Sequence, residues 1–413
     1  MDKALQIRII KELLDQIDNG KNTDAGRMVR IPASEYVSES LAAQERKELF
    51  MNRPQLIGLS GDLPENNSFM TCDDLGLPIL ATRDAEGNFA AFINACKHRG
   101  SKLTNERRGI KKNFSCPFHA WNYSNQGDLR AIPQPDNFGE IDKSCFSLTT
   151  LPCRELNGLL WVHPNPDGVL DLEAFLGQLG EEIGTHDVGK LVYCDERPIT
   201  KDLNWKLAND TFGETYHFSK LHKNTLAQVF HGDALAYEEF GEHHRFVFPR
   251  RVIDEMRQLP EEDWQLTVGA VVIYYLFPNV QLILNQTSAT LVRIYPDEEK
   301  PGRSTSVVSH YFKQEALDLL KEYDPNRSDL KRVGAENVYD GSKLGEAVFG
   351  VDAAIEVFNS TVENEDYAMG ELSQNAAETG AVEHFVFGRN ETPLHHYHTQ
   401  FRKALGREEL EVV

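Results

Sequence analysis

The sequence lacks the features of a secreted, membrane-spanning or nucleic-acid-binding protein. Its 413 residues contain no run of about eighteen apolar residues, so we expect no membrane-spanning helix. The opening stretch, MDKALQIRIIKELLDQIDNG, does not show the basic segment and apolar core that mark a signal peptide. Lys and Arg number 43 against 64 Asp and Glu, and the net charge of −21 disfavours binding to nucleic-acid phosphates. We therefore expect a cytoplasmic protein.

Cysteine is also scarce, with six residues in the whole chain. This number is too small for a disulfide framework in a chain of this length. In a reducing compartment, Cys grouped with His indicates a metal site more often than a disulfide. Two of the six, Cys96 and Cys116, precede a histidine by two and three residues.

Residue patterns divide the chain into three segments. Residues 1–53 are polar, with apolar residues at helical spacing, and predict a helical N-terminal segment packed on the larger domain. In residues 54–165, short apolar runs alternate with the turn sequences DAEGN and SNQGD, which predicts a small all-β domain. Residues 166–413 mix helical and strand patterns. We expect an α+β fold there, with an antiparallel sheet covered by helices, of the helix-grip type.

Two helices predicted in the third segment carry acidic and histidine side chains. The first covers residues 205–222 and includes His217 and His222. Because these histidines are five residues apart, about 140° from a common face, the helix must bend or end between them. The second covers residues 346–376 and contains the run VENED.

The stretch CKHRGSKLTNERRGIKKNFSCPFHAW holds two Cys-and-His pairs, Cys96-x-His98 and Cys116-x-x-His119. Four such ligands can bind zinc or a [2Fe–2S] cluster. A zinc finger pairs Cys with Cys and His with His, whereas each loop here offers one of each. This arrangement suits a cluster with two thiolates on one iron and two imidazoles on the other.

The two loops, NACKHRGSKL and CPFHAWNY, resemble the cluster loops of Rieske non-haem iron oxygenases, in the α (catalytic) subunit family. That family includes aromatic-ring-hydroxylating and quaternary-ammonium oxygenases. The resemblance implies a Rieske domain in which Cys96 and Cys116 bind one iron and His98 and His119 the other. Its electrons would come from a ferredoxin or flavin reductase, and ultimately from NAD(P)H.

Basic residues crowd the segment that links the two loops. Against Glu106 alone, it carries Lys97, Arg99, Lys102, Arg107, Arg108, Lys111 and Lys112. On so acidic a protein, this patch is either a docking face for an acidic electron donor or a solvated loop. The sequence leaves both interpretations open.

The resemblance also implies a second iron site. Two His and one carboxylate form the facial triad of mononuclear non-haem Fe(II) oxygenases and leave positions open for dioxygen. The family's acidic element followed by two His matches Glu214-Thr215-Tyr216-His217 and His222. Its C-terminal helix places the third ligand at Asp366, with Glu365 or Glu363 as alternatives.

Two further acids would act beside these ligands. Glu214 stands where relatives have a bridging acid, usually Asp, that links an iron-binding His to a cluster His of a neighbouring subunit. Glu in this place resembles the quaternary-ammonium branch. Asp210 stands where relatives often have Asn, and would tune access to the iron. The run His395-His396-Tyr397-His398 is interpreted as packing rather than as a metal site.

The resemblance thus implies the terminal oxygenase of a reductase-linked system, assembled as a homotrimer. It would use O2 to hydroxylate, dioxygenate or demethylate a small organic substrate, aromatic or alicyclic, or alternatively a quaternary ammonium compound. A Rieske electron-transfer protein and a zinc module are distant alternatives, and iron content distinguishes them. Candidate pocket residues are Leu226, Phe230, Val272, Tyr274, Leu282, Leu284, Asn285 and Phe358.

Overall fold

The computed structural model describes residues 1–321, 335–336, 343–344 and 351–413. The α-helices are α1 (Lys3–Asn19), α2 (Glu39–Glu45), α3 (Leu172–Gly184), α4 (Trp205–Asp210), α5 (Ile253–Met256), α6 (Leu266–Gly269), α7 (Gln314–Lys321), α8 (Val351–Thr361), α9 (Tyr367–Glu378) and α10 (Thr392–Ala404). Each helix in the described residues is too short or too polar to cross a lipid bilayer.

The strands fall into six sheets. Their bounds are β1 (Val29–Pro32), β2 (Gln55–Leu59), β3 (Ser68–Cys72), β4 (Ile79–Arg83), β5 (Phe89–Ile93), β6 (Arg108–Ile110), β7 (Asn113–Ser115), β8 (Asn122–Ser124), β9 (Leu129–Ala131), β10 (Thr150–Leu151), β11 (Cys153–Leu156), β12 (Leu159–Val162), β13 (Val192–Lys201), β14 (Ala236–Phe240), β15 (His243–Pro249), β16 (Ala270–Leu276), β17 (Val280–Leu284), β18 (Ser288–Pro296), β19 (Ser304–Phe312), β20 (Ala335–Glu336), β21 (Lys343–Leu344), β22 (His384–Phe387) and β23 (Glu411–Val412).

The chain forms two compact units. The larger contains residues 1–45, 176–186 and 193–413, and the smaller contains residues 46–175 and 187–192.

The smaller unit is built from three antiparallel sheets, ordered β10-β5-β4-β3-β6, β7-β8-β9 and β11-β12-β2. The predicted turns are confirmed, because DAEGN connects β4 to β5 and SNQGD connects β8 to β9. Buried apolar side chains, among them Phe69, Phe92 and Phe114, form a core that also contains Cys96 and Cys116. The core therefore reaches up to the two Cys-and-His loops.

The larger unit is centred on a seven-stranded sheet in the order β13-β19-β18-β17-β16-β15-β14. Strands β14 to β19 pair antiparallel in sequence order, with Phe246 opposite Ile273 and Ile273 opposite Ile283. On the other face, Tyr274 donates a hydrogen bond to Glu182 of α3. The predicted α+β fold, with helices against an antiparallel sheet, is confirmed.

Helix α4 ends at Asp210, so the predicted helix over residues 205–222 is wrong beyond that residue, and the break comes before His217 rather than between His217 and His222. Residues 211–225 form successive turns instead. The Glu214 carboxylate accepts hydrogen bonds from the backbone amides of Tyr216 and His217, and these bonds replace the ones that a continuing helix would use. A Cβ at Gly213 would lie 2.2 Å from a methyl carbon of Leu394, so a larger residue there would require Leu394 to shift.

Helices α8 and α9 are joined by a π-helical turn, Val362–Asp366. The helix predicted over residues 346–376 is thus confirmed from Val351 onward, while residues 346–350 lie outside the described residues. A π turn winds more residues into each turn than an α-helix does, and such turns are frequent at functional sites. Here it brings Glu365 and Asp366, two consecutive residues, to the same imidazole.

Candidate metal centres and substrate cavity

The four predicted cluster ligands lie together on the smaller unit. Cys96 and Cys116 are buried in its core, whereas His98 and His119 lie nearer the surface with their ring centroids 4.5 Å apart. His98 also stacks on Trp121, with the rings 5.1 Å apart and nearly parallel. Both nitrogens of a cluster-binding histidine need a role, and Nδ1 of His98 is buried without a hydrogen-bond partner. The residues present fit a cluster with buried thiolates and outward imidazoles.

The two loops share one backbone pattern. In each loop, the residue four after the Cys has a positive φ and donates its amide to the Cys carbonyl: Gly100 (φ 76°) to Cys96, and Ala120 (φ 57°) to Cys116. The Cys amide in turn donates to the carbonyl five residues on, that of Ser101 or Trp121. Two loops of the same shape can thus present equivalent ligands from opposite sides of one cluster.

Ion pairs engage much of the basic segment between the loops. Lys102 pairs with Asp73, Arg107 with Asp74, Lys111 with Glu106, and Arg108 with the fully buried carboxylate of Asp62. Within the described residues, Lys97, Arg99 and Lys112 have no carboxylate within ion-pair distance. The free positive charge of the patch is therefore smaller than the sequence indicates.

The second set of predicted ligands meets in the larger unit. Candidate ligand atoms of His217, His222 and Asp366 all lie within 4.8 Å of one another. Nε2 of His222 is 2.9 Å from Oδ1 of Asp366, and Nε2 of His217 is 3.3 Å from the same oxygen. The His217 contact with that oxygen lacks hydrogen-bond geometry, and among the described residues its buried Nε2 has no other hydrogen-bond partner. Two imidazoles and a carboxylate on one side, with that nitrogen uncommitted, fit a divalent cation of the facial-triad type.

Each imidazole is held from behind by a carboxylate. Nδ1 of His217 contacts Glu214, and Nδ1 of His222 contacts Glu365, which also accepts a 2.8 Å hydrogen bond from Thr225. Carboxylates of this kind fix the tautomer and the ring orientation of metal-binding histidines. The alternative ligand Glu363 does not reach the site, because its carboxylate is directed to Lys201, 3.6 Å away.

Mutual attraction governs the charge state of this cluster. Burial lowers the pKa of His217, but the carboxylates of Asp366 and Glu214 outweigh it and raise the pKa to about 10. Burial likewise raises the pKa of Asp366, but His222 and His217 outweigh it and hold the pKa at about 2. Carboxylates that stabilise a positive charge at this point would also stabilise a metal cation.

Asp210 lies behind the triad rather than in it. Its two carboxylate oxygens accept hydrogen bonds from Nε2 of His398, at 2.8 Å, and from the Tyr36 hydroxyl, at 3.1 Å. His395 and His396 contact backbone carbonyls, and all three histidines of the tail motif are buried. The interpretation of that motif as packing is confirmed, and its link to Asp210 is a finding that the sequence did not indicate.

A cavity of about 610 Å³ opens beside the triad, with His217, His222 and Asp366 in its wall. Four predicted pocket residues line it: Leu226, Phe230, Asn285 and Phe358. Four do not, namely Val272, Tyr274, Leu282 and Leu284, and their prediction is wrong. Side chains alternate along a strand, and these four lie on the face directed to α3. Their neighbours Val271, Ile273 and Ile283 line the cavity instead.

Strand β15 and the residue after it contribute cavity residues that were not predicted from the sequence. Phe246, Phe248 and Arg250 lie at alternate positions and all line the cavity. The alternation in HRFVFPR was the signal that could have identified them.

A second cavity, of about 640 Å³, lies beside the same ligands. Both cavities are lined by Thr211, Glu214, His217 and Asp366. The second cavity is otherwise lined by residues such as Asp210, Lys220 and Glu391. His217 and Asp366 therefore line both cavities, whereas His222 lines only the first.

A family model described as ring hydroxylating alpha subunit (catalytic domain) matches residues 188–407, more than half of the chain. The chain belongs to the ring-hydroxylating alpha subunit family. A model of the Rieske [2Fe-2S] domain matches residues 53–152, which include both Cys-and-His loops. The predicted resemblance to Rieske oxygenase α subunits, with a Rieske cluster and a mononuclear iron as cofactors, is confirmed at the level of the family.

Two curated relatives illustrate the range of this ring-hydroxylating family. The chain is 34% identical over 176 residues to the large subunit of anthranilate 1,2-dioxygenase from Acinetobacter baylyi, covering 41% of this chain and 37% of the relative. It is 26% identical over 205 residues to the oxygenase subunit of glycine betaine monooxygenase from Chromohalobacter salexigens, covering 49% and 45%. These matches thus span less than half of either relative's length.

A solved structure has the same fold. The crystal structure of a quaternary ammonium Rieske monooxygenase with a bound inhibitor gives a TM-score of 0.73, covering 92% of this chain and 96% of that one. The sequence identity is 17%, so this likeness concerns the fold alone.

Proposed function

We propose that this chain is the terminal oxygenase component of a Rieske system. It would take electrons from a reductase or ferredoxin and use O2 to hydroxylate a small organic substrate, aromatic or alicyclic. The proposed ligands of the [2Fe–2S] cluster are Cys96, His98, Cys116 and His119, and those of the mononuclear Fe(II) are His217, His222 and Asp366.

One observation carries the proposal: two imidazoles and a carboxylate meet in the wall of a cavity large enough for a small molecule. When bound there, iron would supply the reductive activation of O2. The chain itself positions the metal ligands and the substrate and excludes water from the cavity. Glu214 and Glu365 orient the two imidazoles, and the surrounding phenylalanine, isoleucine and valine side chains hold an apolar substrate away from solvent.

The partners follow from the same proposal. NAD(P)H would be the ultimate electron source, through a reductase that reduces the cluster beside His98 and His119. Glu214 lines both cavities and contacts His217, which suits a bridging acid toward a neighbouring subunit's cluster in a homotrimer. Asp210 would influence access to the iron indirectly, because its hydrogen bonds to His398 and Tyr36 hold the C-terminal end of α4 in place. None of the six cysteines, all of which lie in the described residues, forms a disulfide, which suits the cytoplasm.

The proposed organisation keeps three segments. Residues 1–53 would be a helical segment of the catalytic part, residues 54–165 the Rieske domain, and residues 166–413 the domain of the mononuclear iron.

A second candidate function is monooxygenation of a quaternary ammonium compound. The residue at the bridging position, Glu214, favours it, as does the similarity to glycine betaine monooxygenase. The aromatic rings that line the cavity can also hold a cation.

Iron and acid-labile sulfide, measured per chain on anaerobically purified protein, test the proposal first. We expect three irons and two sulfides, because the cluster supplies two irons and the triad one. The variant His217→Ala should lose about one iron and keep the visible spectrum of the cluster, whereas the control His231→Ala, at a residue that contacts Asp254 instead, should keep all three.

Turnover tests the same proposal without the natural donor. Protein reduced chemically and then exposed to O2 should form hydroxylated product from an aromatic or alicyclic test compound in a single turnover. The His217→Ala variant should form none. Two irons per chain in the unaltered protein, or product from His217→Ala, would contradict the assignment.

A further inference from the structure

Arg250 places a positive charge in the wall of the substrate cavity. It follows Phe246 and Phe248 at alternate positions along β15 and its extension, so all three side chains are on the cavity face. The Arg250 amide donates to Gly269 just before β16, and its guanidinium carbon lies 5.5 Å from the centre of the Phe230 ring. The backbone of Arg250 is therefore held beside β16, and its guanidinium packs against the Phe230 ring.

Among the described residues, this guanidinium has few partners. Its Nη2 donates one hydrogen bond, to the amide oxygen of Asn285, and its Nε is buried without any hydrogen bond. Within the part of the chain that the structure describes, no carboxylate lies within ion-pair distance of Arg250. By contrast, the buried Arg245 and Arg293 are each paired with glutamate.

An unpaired charge in such a place is costly, because burial penalises the charged form. Burial accordingly lowers the pKa of Arg250, and no acid in the described part of the chain offsets the effect. Arginine stays charged in proteins, and its planar fork of N–H groups matches a carboxylate in shape and charge. An anion in the cavity would supply the missing partner.

Aromatic rings line the cavity from the metal ligands to Arg250. The centroid of the Phe218 ring lies 5.4 Å from that of His222 and 5.5 Å from that of Phe248. The Phe248 ring lies 5.1 Å from the Phe230 ring, which packs against the Arg250 guanidinium. Aromatic side chains therefore connect the metal ligands to the guanidinium without a break. Next to Arg250, the β17–β18 turn and the first residue of β18 add the polar side chains of Asn285, Thr287 and Ser288 to the lining.

We propose that Arg250 anchors the carboxylate of a small aromatic or alicyclic monocarboxylate, whose ring lies against the apolar wall beside the metal ligands. This substrate class rests on the oxygenase function proposed above. Arg250 is the one Arg or Lys in the described lining, so it can pair with a single carboxylate of the substrate. The other charged lining residues, Glu214 and Asp366, are engaged with histidines, so no free acid of the described lining would balance a substrate cation.

Equilibrium binding tests the proposal without turnover. Under anaerobic conditions, isothermal titration of the purified protein would compare benzoate with benzamide, and cyclohexanecarboxylate with its amide. Phenyltrimethylammonium serves as the cationic probe. We expect at least one carboxylate to bind about tenfold or more tightly than its amide, because hydrogen bonds to a charged group add about 1.5–3 kcal/mol. The ring that binds more tightly distinguishes the aromatic from the alicyclic source.

Variants assign the preference to Arg250. Arg250→Gln should weaken carboxylate binding roughly 10- to 100-fold and leave the amide nearly unchanged. Arg250→Met removes the charge without adding a polar group, so it provides a second variant in case the first does not fold. The matched control is Arg251→Gln, because Arg251 is exposed and donates to the Ala227 carbonyl outside this cavity.

The inference is overturned if carboxylates bind no more tightly than their amides, if phenyltrimethylammonium binds most tightly, or if both Arg250 variants keep the preference. Iron content, measured on the same preparations, keeps this test separate from that of the oxygenase function. A protein with three irons but no carboxylate preference contradicts the substrate class alone. A protein with the preference but without the third iron contradicts the oxygenase function alone.

Discussion

At the scale of single residues, the carboxylates behind the two imidazoles are as notable as the ligands themselves. Glu365 is fully buried and contacts Nδ1 of His222, whereas Glu363, two residues earlier, is half-exposed and faces Lys201. The two acids lie in one π turn but have different environments. Variants of these two acids therefore measure how much the orientation of the His222 ring contributes to metal affinity.

We expect Glu365→Gln to weaken binding of the mononuclear iron about tenfold, since partners that orient metal ligands typically contribute 10- to 100-fold in affinity. Competition with an Fe(II) chelator under anaerobic conditions measures this affinity. The control Glu363→Gln should bind iron as the unaltered protein does. Equal iron affinity in the two variants would show that Glu365 does not support His222.

His186 gives a second effect at this scale, through pH. Burial lowers the pKa of His186 to about 4, from an ordinary value of 6.5, and its Nε2 lies 2.8 Å from the Tyr274 hydroxyl. The unfolded chain therefore takes up a proton below pH 6.5 that the folded protein does not. Stability contributed by His186 is complete above pH 6.5 and is lost as the pH falls from 6.5 toward 4.

Chemical unfolding at two pH values tests this effect. Between pH 7.5 and pH 5.5, His186 should account for roughly 1.3 kcal/mol of lost unfolding free energy. His186→Gln should therefore lose that much less stability than the unaltered protein over the same interval. An unchanged pH dependence in the variant would mean that His186 is protonated in the folded state.

At the scale of elements, the two cluster loops provide a reciprocal experiment. Gly100 and Ala120 occupy equivalent places with positive φ, a conformation that costs a residue with a Cβ roughly 1 kcal/mol or more. Ala120→Gly should therefore stabilise its loop by up to about 1 kcal/mol, and Gly100→Ala should destabilise the other loop by a similar amount.

The temperature at which the cluster's visible absorption is lost measures both effects. Because a Cβ at Gly100 would meet no atom within 4 Å, steric crowding does not complicate that variant. Opposite shifts in the two variants are the expected result. A lower temperature for Ala120→Gly would show that the Ala120 methyl group contributes packing that outweighs its backbone strain.

Elements were also where prediction from the sequence succeeded and failed. Hairpin turns and cluster loops are local, so DAEGN, SNQGD and the Cys-and-His motifs sufficed to predict them. In the turns that follow α4, Gly213 closely approaches Leu394 and the Glu214 side chain accepts backbone hydrogen bonds, and neither contact can be seen from helical spacing. Val272 and Leu282 were wrongly predicted to line the cavity. A buried strand is apolar on both sides, so its sequence does not indicate which side faces the cavity.

At the scale of the whole molecule, charge is distributed unevenly. The chain has a net charge of −21, yet Lys97, Arg99 and Lys112 stand near the cluster loops without acidic partners among the described residues. Arg108, by contrast, pairs with a carboxylate that is fully buried, so its reversal would disturb the fold. Docking of a donor should therefore be tested at the unpaired cations.

We expect Arg99→Glu combined with Lys112→Glu to raise the Michaelis constant for an acidic [2Fe–2S] ferredoxin, because complementary charge favours encounter. The effect should shrink as salt is added, since exposed charges are screened. Stopped-flow reduction of the cluster at several ionic strengths measures both. Lys143→Glu, on a lysine whose ammonium contacts the Arg130 carbonyl, is the control. A salt-independent rate that is equal in all variants would favour the solvated-loop interpretation.

The two cavities that share Thr211, Glu214, His217 and Asp366 have a consequence for how the protein can change over evolutionary time. Substitutions at Phe248 or Ile283 alter one cavity only, and those at Lys220 or Glu391 alter only the other. New substrates can thus be acquired without rebuilding the side of the triad that faces the second cavity. Such separability lets the lining of one cavity diversify while the four shared residues and the lining of the other cavity stay unchanged.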